Sequence, residues 1–373
     1  MGHDLVPPAP LVIEGQSLPM VGPARIYACG VTPYDVTHLG HAATFVWVDA
    51  LVRTLRHANL TPIVTRNITD VDDVLTEAAR RAGAPYDEFA AIHQYDFDHD
   101  MSHLGVRRPD HEPRAHQHIG SVVRLTAALL DRDAAYEVDG TVYFRGAIAV
   151  ASTGLGEADI LAALTEFGED VDDPAKESPV DVPVWRASAG NDPAWPSPWG
   201  PGRPGWHAEC TAMVLDTYGS SLDIHAGGAD LAFPHHAYEA AQAEAATGVT
   251  PFARSWMRVG TVRIGGDKMA KSTGNLVLVS DLLKEHRGAA LRLMILDRRW
   301  WEAWDYEPGL LAAAEGRLDA LHAAAGRRSD DEAAEAEVVR LLLADIDVPA
   351  ATAVALESGG RAARVLVQVL GLS

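Results

Sequence analysis

The feature that most limits what this chain can fold into is a strand, a helix and a strand read within about forty-five residues. The run ARIYACG (Ala24 to Gly30) is short, apolar and closed by glycine, as a buried parallel strand is. HAATFVWVDALVRTLRHA (His41 to Ala58) carries a long helical pattern, and TPIVTRN (Thr61 to Asn67) reads as a second strand. Such a βαβ unit crosses over with right-handed sense. The end of its first strand then faces a helix N-terminus, in the crevice where open parallel sheets hold ligands. The fold class expected is therefore α/β, built on a Rossmann-type parallel sheet.

The sheet pattern is interrupted. Residues 75–184 read as an inserted region of helices, a short strand pair around EVDGTVYFRG and an acidic loop from Gly168 to Glu177. The stretch NDPAWPSPWGPGRPGWHAEC (Asn191 to Cys210) is too rich in Pro, Gly and Trp to be regular for most of its length, and long loops of that kind tend to be functional. The α/β pattern returns with LDIHAGGADLAFPHH, which opens a helix. We divide the chain into 1–74 and 185–288 for the two halves of the catalytic sheet domain, 75–184 for the insertion and 289–373 for a C-terminal helical bundle.

Charge bears on partners. The 373 residues carry a formal charge of −21 and only four lysines, Lys176, Lys268, Lys271 and Lys284. A surface that follows a nucleic-acid backbone usually needs a basic stripe to neutralise phosphates. None is visible, so tRNA is an unlikely partner by charge. No apolar run is long enough for a membrane span, and the N-terminus lacks a leader pattern; the cytoplasm is the expected compartment. The two cysteines, Cys29 and Cys210, are too far apart to suggest a disulfide framework.

Two short motifs suggest chemistry. His38-Leu39-Gly40-His41 stands where the first strand hands over to its helix, so imidazole donors could meet a nucleotide's phosphates there. Lys268-Met269-Ala270-Lys271-Ser272 lies between glycines, and two lysines three apart on a loop could clamp a triphosphate. The bland alternatives are surface histidines and a solvated loop. His235 and Glu239 lie four apart at the start of a helix and share one face. With Cys29 and Cys210 they make a plausible tetrahedral zinc set, although without CxxC spacing the cysteines also read as core filler.

Taken together, the HIGH-type tetrapeptide and the KMSKS-like loop resemble the signature pair of class I aminoacyl-tRNA synthetases, with Ala270 in place of the usual serine. The series CGVTPYDVTHLGH, NITDVDD, WPSPWGPGRPGWHAEC, GGADLAFPHH and KMAKSTGN is similar to the motifs of cysteinyl-tRNA synthetases and of their paralogue, the cysteine:glucosaminyl-inositol ligases of mycothiol biosynthesis. The resemblance implies a class I synthetase-type, nucleotidylyl-transferase-like parallel sheet. It also implies ATP-dependent activation of L-cysteine as an adenylate, use of Mg2+ with ATP, and a Zn2+ that takes the substrate thiolate. Cys29, Cys210, His235 and Glu239 would hold the metal. His38, His41, Lys268 and Lys271 would activate the triphosphate. Gly30, Val31, Thr32, Asn67, Ile68, Thr69 and Trp206 would line the cysteine pocket, and Thr44, Gly228, Ala229, Asp230 and Val262 would contact the nucleotide.

Pro33, Ala42, Ala43 and the continuation GNLVLVS resemble the mycothiol ligases more than the synthetases. The 101 residues after Ser272 leave little room for an anticodon-binding domain. Glu239 points the other way, since the resemblance places a fourth zinc ligand there in the synthetases, whereas the ligases use two cysteines and one histidine. Ala237 also departs from a glutamate common to both groups. The expected function is thus a monomeric ligase joining cysteine to the amine of a small amino sugar, glucosaminyl-inositol. The alternatives are a cysteinyl-tRNA synthetase without an anticodon-binding domain and a non-catalytic paralogue that binds cysteine or an adenylate.

Overall fold

A computed structural model describes residues 10–34, 36–151, 153–190, 192–269 and 274–373. A small hairpin, β1 (Leu11–Ile13) and β2 (Gln16–Leu18), leads into β3 (Ala24–Val31), α1 (Leu39–His57) and β4 (Pro62–Ile68). This is the expected βαβ unit, with its helix beginning two residues earlier than the apolar pattern alone suggests because His38 caps it. Then follow α2 (Asp73–Ala82), α3 (Tyr86–His103) and α4 (Ile119–Asp131).

The insertion is built on an antiparallel sheet of β5 (Ala135–Val138), β6 (Thr141–Phe144), β7 (Val182–Ala187) and β8 (Gly202–Pro204), in that order. Asp139 and Gly140, both at positive φ (50° and 84°), form the two-residue turn of its hairpin, as a right-twisted hairpin requires. Between β6 and β7 lie α5 (Ala147–Ala151) and α6 (Glu157–Glu166). The boundary drawn at residue 184 falls inside β7. A short apolar run such as VPVW reads alike in a parallel or an antiparallel strand, and here it pairs with β6 and β8.

The main sheet resumes with α7 (Trp206–Tyr218), β9 (Leu222–Gly228), α8 (His235–Thr247) and β10 (Ala253–Val259). Its order is β10-β9-β3-β4, all parallel. The chain runs outward from β3 to β4 on one side and from β9 to β10 on the other, so the crevice between the C-terminal ends of β3 and β9 is the topological switch point. After it come β11 (Val262–Ile264), β12 (Asp267–Lys268), α9 (Val279–Glu285), α10 (Gly288–Leu296), β13 (Trp304–Asp305), α11 (Pro308–Ala325), α12 (Glu332–Leu343), α13 (Val348–Ser358) and α14 (Gly360–Leu370).

Side-chain alternation assigns the faces. Ala24, Ile26 and Ala28 of β3 join one core with α1 and the C-terminal helices, whereas Tyr27 and Cys29 point into a second, smaller core with Cys210, Met213 and Phe252. Helix α1 is apolar nearly all round because it is buried between the sheet and the bundle. Among the described residues, no helix is long and apolar enough to cross a membrane.

One buried charge ties the bundle to the sheet domain. Arg292 of α10 donates to the Asp49 carboxylate of α1, to the Leu370 carbonyl at the end of α14 and, at 3.3 Å, to the Leu104 carbonyl after α3. Removing one partner of such a buried pair costs about 3–5 kcal/mol because the other is left uncompensated. We expect Arg292→Ala to lower the free energy of unfolding, measured by urea denaturation, by an amount in that range; an unchanged value would show that the guanidinium adds no net stability.

Candidate functional site

The switch-point crevice is shaped first by backbone. The β3–β4 register is irregular between Ala28 and Val31, where β3 carries one extra residue around Cys29 and Gly30. Gly30 lies so close to β4 that a Cβ there would sit 1.7 Å from the Asn67 carbonyl oxygen. The Asn67 side chain accepts from the Gly30 N–H at 2.7 Å and donates to Cys210 Sγ at 3.1 Å. One amide thus connects the end of β3 to the second turn of α7. Val31 and Ile68 are buried partners across the strand pair, so their backbone is what could face a ligand. Thr32 and Thr69 join their hydroxyls at 2.7 Å beside them.

Cys29, Cys210, His235 and Glu239 converge, all buried, with their donor atoms within 4.8 Å of one another. Cys29 Sγ lies 3.3 Å and His235 Nε2 3.0 Å from the same oxygen, Glu239 Oε1. Tetrahedral zinc, with bonds of about 2.0–2.3 Å, sets neighbouring donors roughly 3.3–3.8 Å apart, so the cluster needs little adjustment to hold an ion. Its electrostatics favour a cation. Burial would raise the Glu239 carboxyl, yet His235 and His225 hold it well below its ordinary range. Burial likewise opposes charge on His235, but Glu239 and Cys210 outweigh it and push the imidazole up to about 10. The Cys210 thiol is lowered despite burial by the hydrogen bond from Cys29 and by His235, while the Cys29 thiol is pushed well up by burial, by its bond to Cys210 and by Glu239. The proton on His235 occupies a place that a metal cation would take over. Cys29 and Glu239 form a second possible set with His225 and His236. Since both sets need the same two residues, only one can be filled, and the set with two thiols better suits a soft ion.

At the start of α1, His38 and His41 stack with ring centroids 3.8 Å apart. His38 Nδ1 accepts from the Gly40 N–H at 3.1 Å, and a Cβ on Gly40 would come within 2.9 Å of that ring, which explains the glycine between the histidines. Thr44 lies one turn further along α1 and about 4 Å from where a Cβ on Gly228 would be. Gly228 ends β9 and passes into a short helical turn (Ala229–Ala232). Lys268 Nζ reaches back to Asp230 Oδ2 at 2.7 Å, which joins the lysine loop to that turn. Val262, buried in β11, pairs with Trp304. Lys271 lies outside the described residues.

Several side chains at the site went unread in the sequence. His225 donates to the second Glu239 oxygen at 3.0 Å, and His207, kept neutral by burial and by the neighbouring His235 charge, accepts from His235 Nδ1 at 2.9 Å. Trp206 stacks on His235 at 4.0 Å. His207 and His225 each sit inside a quoted motif, GWHAEC and LDIHAGG, and strand alternation puts His225 on the face of Tyr27. That alternation was the available signal.

Residues 19–316 match the family model of tRNA synthetases class I (C) catalytic domain. The chain is 43% identical over 336 residues, 88% of its length and 72% of the relative's, to the L-cysteine:1D-myo-inositol 2-amino-2-deoxy-alpha-D-glucopyranoside ligase of Frankia casuarinae. It is also 43% identical over 312 residues, 81% of its length and 65% of the relative's, to the cysteine–tRNA ligase of Alkalilimnicola ehrlichii. Methionyl-tRNA synthetase of Mycobacterium tuberculosis in complex with methionyl-adenylate matches in fold, with a TM-score of 0.62 at 16% identity over 94% of this chain and 82% of that one.

The donor cluster leads to a direct measurement. Elemental analysis of the purified protein is expected to find about one zinc per chain. Glu239→Ala should lose metal to a chelator roughly tenfold or more readily, since it removes a donor and leaves His225 without its acceptor. Because Cys29 must shed its raised proton to bind, retention should weaken as pH falls. Metal-free protein, or equal retention in the variant, would contradict the assignment.

Proposed function

The chain belongs to the family of class I (C) tRNA synthetase catalytic domains, and from that premise we propose that it activates L-cysteine with ATP and transfers it to the amine of a small amino sugar, glucosaminyl-inositol. The observation that carries the reading is the meeting of two thiols, an imidazole and a carboxylate at the end of β3, next to the nucleotide crevice. A zinc ion held by Cys29, Cys210, His235 and Glu239 would supply a soft Lewis acid for the substrate thiolate, a contact that serine cannot match.

In the first step a carboxylate oxygen of cysteine attacks the α-phosphorus of ATP and pyrophosphate leaves. Thr69, Trp206 and the backbone of Gly30 to Thr32, with Asn67 behind it, would hold the amino acid. Thr44, Gly228 to Asp230 and Val262 would hold the nucleoside. His38, His41, Lys268 and Lys271 would spread the charge that builds on the phosphates, with Mg2+ accompanying the nucleotide. Lys268 is bound to Asp230 in this structure, so the phosphates would have to draw it away. In the second step the acceptor amine attacks the anhydride carbonyl, an amide forms, the amine gives up a proton and AMP leaves with the electron pair.

The acceptor reading is supported by similarity to the Frankia ligase, by the charge of −21 and by the four lysines. Glu239 among the metal donors, with the equal identity to a cysteine–tRNA ligase, favours tRNA as the second reading. Cysteine-dependent AMP release on adding glucosaminyl-inositol, with little change between low and moderate salt, is the expected result. Charging of tRNA at a comparable rate, falling steeply with salt as phosphate contacts dictate, would overturn it.

Lys271→Ala should slow cysteine-dependent pyrophosphate exchange about a hundredfold, the order expected when one preorganised charge is lost from a transition state. Cysteine affinity should stay nearly constant. A normal exchange rate would remove Lys271 from the phosphates.

A further inference from the structure

One residue of the inserted region that no motif contains touches both halves of the site. Phe167 caps the C-terminus of α6, in a part of the chain that contributes no strand to the parallel sheet. Its ring lies nearly parallel to Trp206, with centroids 5.9 Å apart and planes at 16°. Trp206 in turn lies nearly parallel to His235, at 4.0 Å and 23°. Phe167, Trp206 and His235 therefore form a continuous row of rings ending on a metal-donor side chain. The same Phe167 ring also meets a cation, since Lys268 Nζ stands 5.5 Å from its centroid.

Among the described residues, three groups hold Lys268, and they are not equal. The Glu166 carboxylate is 3.8 Å away and two-thirds exposed, and such a surface pair contributes little. Asp230 contacts the lysine directly at 2.7 Å but belongs to the nucleotide turn, so ATP competes for it. Phe167 is a second contact that does not depend on the nucleotide, and unlike Glu166 it also touches Trp206.

We infer that Phe167 is a positioning residue that couples the amino-acid pocket to the lysine loop. Filling the pocket beside Trp206 fixes that indole, the indole fixes the Phe167 ring, and the ring orders Lys268 for the phosphates. The role assigned to the insertion is thus to link the two substrate subsites. The inference rests on the proposed cysteine and ATP sites, and its test is separable from theirs.

The test measures the dissociation constant of ATP with and without L-cysteinol, an alcohol analogue that lacks the reacting carboxylate. In the native protein cysteinol should tighten ATP binding about five- to twentyfold, the range set by one ring stack plus one cation–ring contact. Phe167→Ala and Phe167→Leu should bring the ratio to within about twofold of unity, and Phe167→Tyr should keep it. Because the ring is only partly buried, the thermal midpoint of each variant should stay near that of the native protein. A purely structural role would weaken each ligand alone and leave the ratio intact. An unchanged ratio in Phe167→Ala, or a ratio of one in the native protein, overturns the inference. Cysteine-dependent pyrophosphate exchange in the native protein tests the activation reading on its own, whatever the ratio.

Discussion

A single buried carboxylate organises this molecule's interior. Glu239 is fully enclosed, and its oxygens meet Cys29, His235 and His225 within 3.3 Å. A carboxylate at that depth would be costly without partners, and removing one partner from a buried charged set is strongly destabilising. Its three contacts come from β3, from the start of α8 and from β9, so satisfying one charge fixes a helix against two strands. His207 then orients His235, and Trp206 closes over that ring. The packing of α7 against α8 follows from the same network.

Backbone approach supplies the second constraint. Gly30 lets β3 come within contact of the Asn67 carbonyl, and the Asn67 amide reaches Cys210 from there. Any side chain at Gly30 would push the strands apart and move Cys29 with them. Gly40 acts in a similar way at the start of α1, where its missing Cβ allows His38 to fold back onto the helix it caps. Both glycines are needed for close approach in the ground state, before any ligand enters.

The βαβ unit and the crevice beside Cys29 could be read from the sequence because apolar periodicity and a closing glycine report directly on a buried strand and its helix. The meeting of Cys29 with Cys210 could not. Their spacing carries no information; donor chemistry suggests a shared metal set, and the resemblance narrows it. Residues 191–210 read as irregular for most of their length, and most of the described ones are; the start of α7 at Trp206 is not legible, because a helix that starts after glycine has no strong propensity signal in a Pro- and Trp-rich run. The end of the insertion was placed inside β7, since the pairing partner of an apolar strand is decided by tertiary contacts rather than by the strand. Phe167 gave no sign at all, being a lone aromatic between an alanine-rich helix and an acidic loop.

The position of the insertion explains why it should matter to chemistry at all. The chain leaves the sheet at the C-terminal end of β4 and must re-enter at the start of β9, on the other side of β3. Everything between those points begins at the rim where β3 and β9 diverge, the rim that carries the metal donors and the nucleotide turn. A helix end in that segment, such as the end of α6, can therefore reach Trp206 and Lys268 without disturbing the buried carboxylate network beneath them. The donors are locked by charges that cannot be moved cheaply, whereas the ring above them is partly buried and held by weaker contacts. Change in how the two substrates communicate is accordingly easiest at the rim, and change in which amino acid is held is hardest at the floor.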